Sequence, residues 1–261
     1  MKHAPFIRLF VLVFALFASA GASLWSQRAL NNSLLAGLKA LPFAPKRKKI
    51  EAVYHFTFTD PSSLKGWEEK VFRRQTRYTI EKDPKGSFLR AHSEASSSGL
   101  YKRMDVPVTP DLFLVWRWRA NKFPVKKEPS KLSSREQDDF AARVYVIFAG
   151  SNFFDTDVIE YLWDAHVEAG SVAHSPFTDR VKLFVVQKGA PNPAAAEGWQ
   201  SLRRNIYSDY QSLFNRPPGR PLGAIALMSD SDNTGTSSEA DFRFIRLERE
   251  QNQNRGGEHA Q

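Results

Sequence analysis

The chain of 261 residues contains no cysteine. This absence excludes a disulfide framework, a zinc–thiolate centre, a cysteine nucleophile and the lipid-modified cysteine of a lipoprotein. A fold without such cross-links depends on its hydrophobic core. Aromatic residues make up 13% of the chain and include 20 phenylalanines, a composition that suits a wide β core.

Several signatures of common enzymes and metal sites are also missing. The sequence has no G-x-S-x-G nucleophile elbow, no P-loop and no G-x-G-x-x-G fingerprint. His55, His92, His166 and His174 are scattered and form neither an H-x-x-x-H nor an H-x-H pattern, so a histidine metal site is not expected. Together these absences favour a protein that is not an enzyme.

One long apolar run stands at the start of the chain. Basic residues precede residues 9–20, and this run ends in the A-x-A pattern of residues 18–20. The arrangement predicts a secretory signal peptide in residues 1–20, cut after Ala20. The alternative is an uncleaved anchor, because residues 21–25 extend the run to about 17 residues, the lower limit of a membrane span. We expect an exported protein, either periplasmic or secreted, or tethered to the membrane by this segment.

The formal net charge is +9. Excess positive charge favours anionic partners, and for an exported protein these are a glycan or another anionic envelope polymer rather than nucleic acid. Simple solubility, with no ligand, is the alternative. No later segment approaches the length of a membrane span, so membrane contact is expected only through the N-terminal segment.

Hydrophobic periodicity divides the rest of the chain. Leucines at helical spacing and a basic run indicate a helix and basic linker in residues 21–51. Residues 52–249 contain ten predicted short strands separated by turn signals. This pattern predicts an all-β domain, an antiparallel two-sheet β-sandwich of jelly-roll type with one or two short helices. Residues 250–261 are polar and predicted to be a disordered tail.

Four predicted elements bear on the later argument. A strand is expected over residues 72–80, a mobile loop over residues 122–139 and a helix over residues 203–215. Trp116 and Trp118 alternate with arginines on a further strand. We expect the two indoles to face the core and the arginines to face solvent, although exposed indoles would make a stacking platform for sugar rings.

The sharpest local motif follows a predicted strand at residues 230–235, D-S-D-N-T-G. Asp230, Asp232 and Thr234 fall at positions 1, 3 and 5 of a calcium loop, with a glycine at position 6 and Asp241 at position 12. This spacing predicts a calcium site, although strands rather than helices flank the loop. The alternatives are an Asx-rich turn and a loop that contacts a ligand.

Other polar and aromatic side chains stand where two strands could deliver them to one groove. Asp138, Asp139 and Arg143 lie at a strand entrance, where they could bind a polar ligand or form a salt bridge that pins the preceding loop. Tyr161 and Trp163 share a face of the next strand. The residues predicted to contact a polar, glycan-like ligand are Asp138, Asp139, Arg143, Tyr161, Trp163, Asp209, Asp230, Asp232 and Asn233.

A series of short motifs runs through the domain in a fixed order. The motifs are DDFAARVY at residues 138–145, YLW at 161–163, GW at 198–199, RRN at 203–205, DY at 209–210, LF at 213–214 and DSDNTG at 230–235. Over roughly residues 53–247 this series resembles the exported bacterial proteins grouped as domain-of-unknown-function family 3047. The sequence departs from the family pattern at Gln137 and at residues 241–243. The resemblance implies a protein of the bacterial cell envelope with a single β-rich domain, and it implies no mechanism.

These observations lead to one expectation and two alternatives. We expect a cell-envelope protein that binds a polar, glycan-like ligand without catalysis. The first alternative is a glycan hydrolase or lyase that uses paired carboxylates. The second is a structural or interaction protein of the envelope.

Overall fold

The computed structural model describes residues 49–129, 131–150, 155–189 and 198–251. The described strands are β1 (Lys49–Thr57), β2 (Glu68–Arg73), β3 (Arg77–Asp83), β4 (Gly86–Glu94), β5 (Ser97–Val106), β6 (Leu112–Lys122), β7 (Ala142–Phe148), β8 (Asp157–Asp164), β9 (Val172–Ser175), β10 (Thr178–Lys188), β11 (Gln200–Asn205), β12 (Leu222–Met228) and β13 (Ser237–Gln251). Helix α1 (Ile206–Phe214) joins β11 to β12, and short 3-10 helices occupy Pro61–Leu64 and Arg135–Gln137. The predicted signal peptide, the N-terminal helix and residues 252–261 lie outside the described residues.

The strands form two sheets. Sheet A has the order β11-β6-β13-β4-β3, and β13 also pairs with β1. Sheet B has the order β2-β5-β12-β7-β8-β10-β9. The predicted two-sheet β-sandwich is therefore confirmed. One pair departs from the expected antiparallel arrangement, because β10 runs parallel to β8 and takes β9 as its antiparallel partner on the other side.

The core lies between the two sheets, and alternation along the strands fills it. Trp116 and Trp118 of β6 are fully buried, as their shared strand face predicted. The Trp116 ring stacks on Tyr161 of sheet B at 5.2 Å between centroids, and Trp118 lies 5.7 Å from Trp163. Such offset aromatic pairs contribute beyond their buried area, so these four rings hold the sheets together.

The predicted strand over residues 72–80 is wrong in its continuity. The segment belongs to two strands in different sheets, because β2 ends at Arg73 in sheet B and β3 begins at Arg77 in sheet A. Between them Arg74 takes a positive φ of 56°, a left-handed conformation that turns the chain. The helix predicted from residue 203 begins later, at Ile206, because Arg203–Asn205 continues strand β11 beside β6.

Sheet B is covered on its outer face as well. The connection between β6 and β7, predicted as a mobile loop, packs there through Leu132 and Phe140 against Val181 and Leu183 of β10. Cover on both faces explains why β7 and β8 are almost entirely buried. No helix in the described ranges is both long and apolar enough to cross a membrane.

Candidate functional site

Arg143 stands at the centre of a buried cluster of charged side chains. Its neighbours on β7, Ala142 and Val144, point into the core, so alternation sends Arg143 to the outer face of sheet B. There the β6–β7 connection covers it and leaves the residue 1% exposed. A guanidinium at this depth needs carboxylate partners to offset its lost hydration.

Three acidic residues surround the guanidinium. Arg143 Nε donates to Asp230 Oδ1 at 2.9 Å, and Nη1 donates to Glu160 Oε2 at 2.9 Å. Asp138 Oδ1 lies 3.6 Å from the same Nη1, and the Asp138 carbonyl accepts from Nη2. The Arg143 cluster, defined as Asp138, Arg143, Glu160 and Asp230, therefore joins β7, β8, the loop after β12 and the β6–β7 connection.

Asp139 extends this cluster into the loop at residues 230–235. Its carboxylate accepts from the backbone N–H of Asn233 at 3.2 Å and of Thr234 at 2.6 Å. In return, Asp230 Oδ1 accepts from the backbone N–H of Phe140 at 2.9 Å. Hydrogen bonds from backbone N–H groups to carboxylates therefore join the two loops in both directions. Together with the ion pairs of Arg143, they agree with the alternative in which a salt bridge pins the preceding loop.

Burial changes the ionisation of the cluster. Desolvation raises the pKa of Asp138 to about 7 and that of Glu160 to about 7, with Arg143 opposing each rise. Desolvation also raises the pKa of Asp230 well above its ordinary range. In the described part of the chain Asp138 Oδ1 and Glu160 Oε1 accept no hydrogen bond. A single guanidinium therefore cannot keep all three carboxyl groups ionised near neutral pH.

The remaining predicted ligand residues lie elsewhere. Tyr161 donates to Asp209 Oδ2 at 2.6 Å inside the sandwich, and Arg204 Nε binds the same oxygen at 2.8 Å. Trp163 Nε1 donates to the Gly189 carbonyl at 2.8 Å. These side chains hold α1 and the end of β10 in place, and they do not line an open groove with the Arg143 cluster.

The predicted ligand residues leave little room for a ligand in this conformation. The cavity between Asp139, Phe140 and Trp163 measures about 10 Å³, the space of one water molecule. Only Asp232 and Asn233 of the nine keep part of their surface exposed. A glycan could contact the other seven only after the β6–β7 connection or α1 had moved.

The calcium spacing needs one correction. Asp241 is not near the loop at residues 230–235, because it faces outward from sheet A and is held by Arg90 Nε at 2.8 Å and Arg119 Nε at 3.0 Å. Asp139 takes its place, since Asp139, Asp230 and Asp232 offer carboxylate oxygens within 4.8 Å of one another. The Thr234 hydroxyl, another predicted ligand, bonds to Thr236 Oγ1 at 2.8 Å.

Calcium at this loop stays a prediction, and thermal unfolding with calcium and then with chelator checks it. A site filled at 100 times its dissociation constant should stabilise the fold by about 2.7 kcal/mol, or roughly 5–11 °C for a domain of this size. Asp232→Ala should abolish that shift, while Asp179→Ala, a change at an exposed acid elsewhere, should keep it. An unchanged melting temperature would contradict calcium binding, and Arg143 would then be the counter-charge of Asp230.

An open groove that the sequence did not indicate lies at the margin of sheet A. Strand β13 pairs with β4 along its first half and with β1 along its second half, so β1 leaves the sheet where β4 begins. The departing chain and edge strand β3 enclose a groove of about 460 Å³. Its lining residues are Thr59, Asp60, Pro61, Leu64, Tyr78, Thr79, Ile80 and Lys82. Since these residues come from two segments that meet only in the fold, no local motif marks them.

The fold and these sites define a β-sandwich protein. The β6–β7 connection, held by the Arg143 cluster, covers sheet B, and a groove opens at the margin of sheet A. The chain belongs to the family described as "Protein of unknown function (DUF3047)", whose model matches residues 65–246. This match confirms the family resemblance found in the ordered motifs. Among curated proteins, none matches the sequence.

Several solved structures are similar to this chain at low identity. A conserved carbohydrate esterase of the Shiga toxin-encoding bacteriophage phi24B is 11% identical, with a TM-score of 0.42, and the match covers 77% of this chain and 100% of the esterase. A family 11 carbohydrate-binding module of Clostridium thermocellum is 10% identical, with a TM-score of 0.36 and coverage of 75% and 95%. TmCBM61, solved with β-1,4-galactotriose, is 8% identical, with a TM-score of 0.35 and coverage of 72% and 90%. Likeness at this level does not indicate what the chain binds.

Proposed function

We propose that this chain is an exported, non-catalytic protein that binds a polar, glycan-like ligand in the groove between residues 59–64 and β3. The observation that carries the proposal is the groove itself. Its volume of about 460 Å³ lies within the usual range of ligand sites, about 300–1,000 Å³. Export rests on the signal-peptide pattern of residues 1–20.

The groove combines the two kinds of surface that a sugar presents. Leu64 and Ile80 are half-buried, pack against the core and supply an apolar floor. Thr59, Asp60 and Lys82 are exposed and supply polar groups at the rim. Hydrogen bonds from Ser62 lower the pKa of Asp60, which keeps its carboxylate an acceptor for hydroxyl groups at neutral pH.

The backbone of the edge strand adds further polar groups. In the described chain β3 pairs only with β4, and the two-residue turn places Asp83 opposite Gly86. Alternation from that pair directs the N–H and C=O groups of Tyr78, Ile80 and Lys82 away from β4. A ligand with regularly spaced hydroxyls could bond to this row as well as to the rim.

The composition of the groove favours binding over glycan cleavage. Asp60 is the one carboxylate among its lining residues, whereas most glycosidases use an acid and a second carboxylate. The carboxyl groups with a pKa near 7 belong to the Arg143 cluster and are buried beneath the β6–β7 connection. The enzyme alternative therefore finds no exposed carboxylate pair at either described site.

Calorimetric titration of the full chain with a panel of neutral oligosaccharides tests the proposal. Lys82→Ala and Thr79→Val should each weaken binding of the active oligosaccharide by about tenfold, since each loses about one well-placed hydrogen bond to the ligand. Lys122→Ala, a matched change at another exposed lysine of sheet A, should leave the affinity within about twofold. If no oligosaccharide binds, or if all three variants bind as the parent does, the groove is not the site.

A further inference from the structure

The outer face of sheet A carries a dense group of arginines around Trp199. The guanidinium carbons of Arg119 and Arg243 lie 4.7 and 4.3 Å from the Trp199 ring centroid, and that of Arg117 lies 5.9 Å away. Trp199 is 4% exposed, and Phe88 packs edge-on against it at 5.5 Å. The aromatic pair therefore acts as a floor on which three guanidinium groups are laid out.

Arg243 lies at a break in the β13–β6 pairing. The register shifts between Phe242 and Phe244, so Arg243 is the extra residue of a β-bulge. Phe242 points into the core, whereas Phe244 lies on the outer face, where its ring meets that of His55. Alternation from Phe242 already directs Arg243 outward, and the bulge lets the next residue, Phe244, lie on the same face.

Among the described residues Arg117 differs from its neighbours because it has no anionic partner. Arg119 binds Asp241, and Arg243 binds Asp83. Within the described ranges Arg117 contacts no carboxylate, its cross-strand neighbours are Ser201 and Phe244, and its buried Nε has no hydrogen-bond acceptor. Leaving a partly buried guanidinium nitrogen unpaired costs free energy, so its retention points to an anion that the protein binds.

We propose that Arg117, together with Arg119 and Arg243, forms a binding site for the carboxylate groups of an acidic polysaccharide. A planar carboxylate matches the fork of a guanidinium, which can bind both of its oxygens at once. The outer face of a sheet offers side chains along an extended polymer, and the net charge of +9 supports association with a polyanion. This site goes beyond the proposed groove and shares no residue with it.

Titration of the full chain with an oligogalacturonate tests this site, with its methyl ester as a ligand of the same shape but without charge. The parent protein should bind the oligogalacturonate, more weakly as salt is raised, and should bind the ester at least about tenfold more weakly. Arg117→Gln should weaken binding of the oligogalacturonate by about tenfold or more, and Arg117→Lys by less, because lysine keeps the charge and loses the fork.

Two further variants make the result specific. Arg103→Gln removes an exposed arginine of sheet B and should leave the affinity within about twofold. Lys82→Ala, in the groove, should also leave oligogalacturonate binding unchanged, so this site and the groove can fail separately. The proposal is overturned if the parent protein does not bind the oligogalacturonate, if the ester binds equally well, or if Arg117→Gln and Arg103→Gln weaken binding equally. Because Arg117 has no anionic partner to lose in the described part of the chain, Arg117→Gln should melt within about 2 °C of the parent.

Discussion

Arg143→Met should lower the free energy of unfolding by about 3–5 kcal/mol at pH 8, one of the largest effects of a single substitution in this chain. Methionine fills much of the same space, so the loss comes mainly from the charges. Asp138, Glu160 and Asp230 would stay buried without their cation. At roughly 2–4 °C per kcal/mol for a domain of this size, the melting temperature should fall by roughly 6–20 °C.

The loss should also have a local signature. Arg143 binds the Asp138 carbonyl, and Asp230 binds the backbone of Phe140, so the cluster fixes the end of the β6–β7 connection. When it is broken, amide hydrogen exchange should rise first in residues 131–141 and in residues 230–235. The core pair Trp116 and Tyr161 should remain protected until global unfolding.

Arg103→Met is the matched control, since Arg103 pairs with Glu68 on an exposed part of sheet B. Exposed ion pairs contribute little, so this variant should melt within about 2 °C of the parent. If Arg143→Met also melted within 2 °C, or if exchange rose evenly through the chain, the cluster would not be what pins the connection.

The Arg143 cluster illustrates what sequence reasoning reaches and where it stops. The proximity of Asp138, Asp139 and Arg143 at a strand entrance already indicated a salt bridge that pins a loop, as one of two alternatives. The contribution of Glu160 could not be read in the same way, because it depends on the register of β8 against β7, where Glu160 stands opposite Tyr145. Cross-strand register is set by the whole sheet, so one sequence does not reveal it.

Alternation predicted the two faces of β6 correctly. It placed Trp116 and Trp118 in the core and put Arg117 and Arg119 on the outer face, because side chains on a strand alternate with a period of two. It could not predict the bulge at Arg243, which places Phe244 on the outer face as well. The groove could not be predicted for a similar reason, since its floor and rim come from segments that only tertiary packing brings together.

The continuity of strands was harder to predict than their existence. Residues 72–80 are rich in strand-forming residues, yet Arg74 breaks them into parts of two different sheets. No glycine or proline marks the break. The turn is enforced by tertiary bonds, such as that from the Thr76 backbone N–H to Ser98 Oγ at 2.8 Å, which propensity does not record.

The stability of the parent protein should fall as the pH rises from about 5 to about 8, and Glu160→Gln should remove part of that fall. Burial raises the pKa of Glu160 to about 7, above its value of 4.5 in an unfolded chain. The folded state therefore binds a proton that the unfolded state has released, so this contribution is fully present below pH 4.5 and is lost as the pH passes 7. Each such proton changes the free energy of unfolding by up to about 1.4 kcal/mol per pH unit. Glutamine mimics the protonated carboxyl group at every pH.

The quantity to measure is the difference in melting temperature between Glu160→Gln and the parent, taken at intervals from pH 5 to pH 8. The melting temperature of the variant should rise relative to that of the parent as the pH rises, because the parent must ionise one more buried carboxyl group than the variant. The melting temperature of the variant should still fall somewhat as the pH rises, because burial also raises the pKa of Asp138 to about 7. This fall should be smaller than in the parent, since in the parent the two coupled groups titrate together. Glu128→Gln makes the same chemical change at an exposed position in the β6–β7 connection and should give a difference that does not vary with pH. If the difference in melting temperature for Glu160→Gln does not change with pH, Arg143 keeps Glu160 ionised throughout. The proton that the buried cluster binds would then be on Asp138 or Asp230.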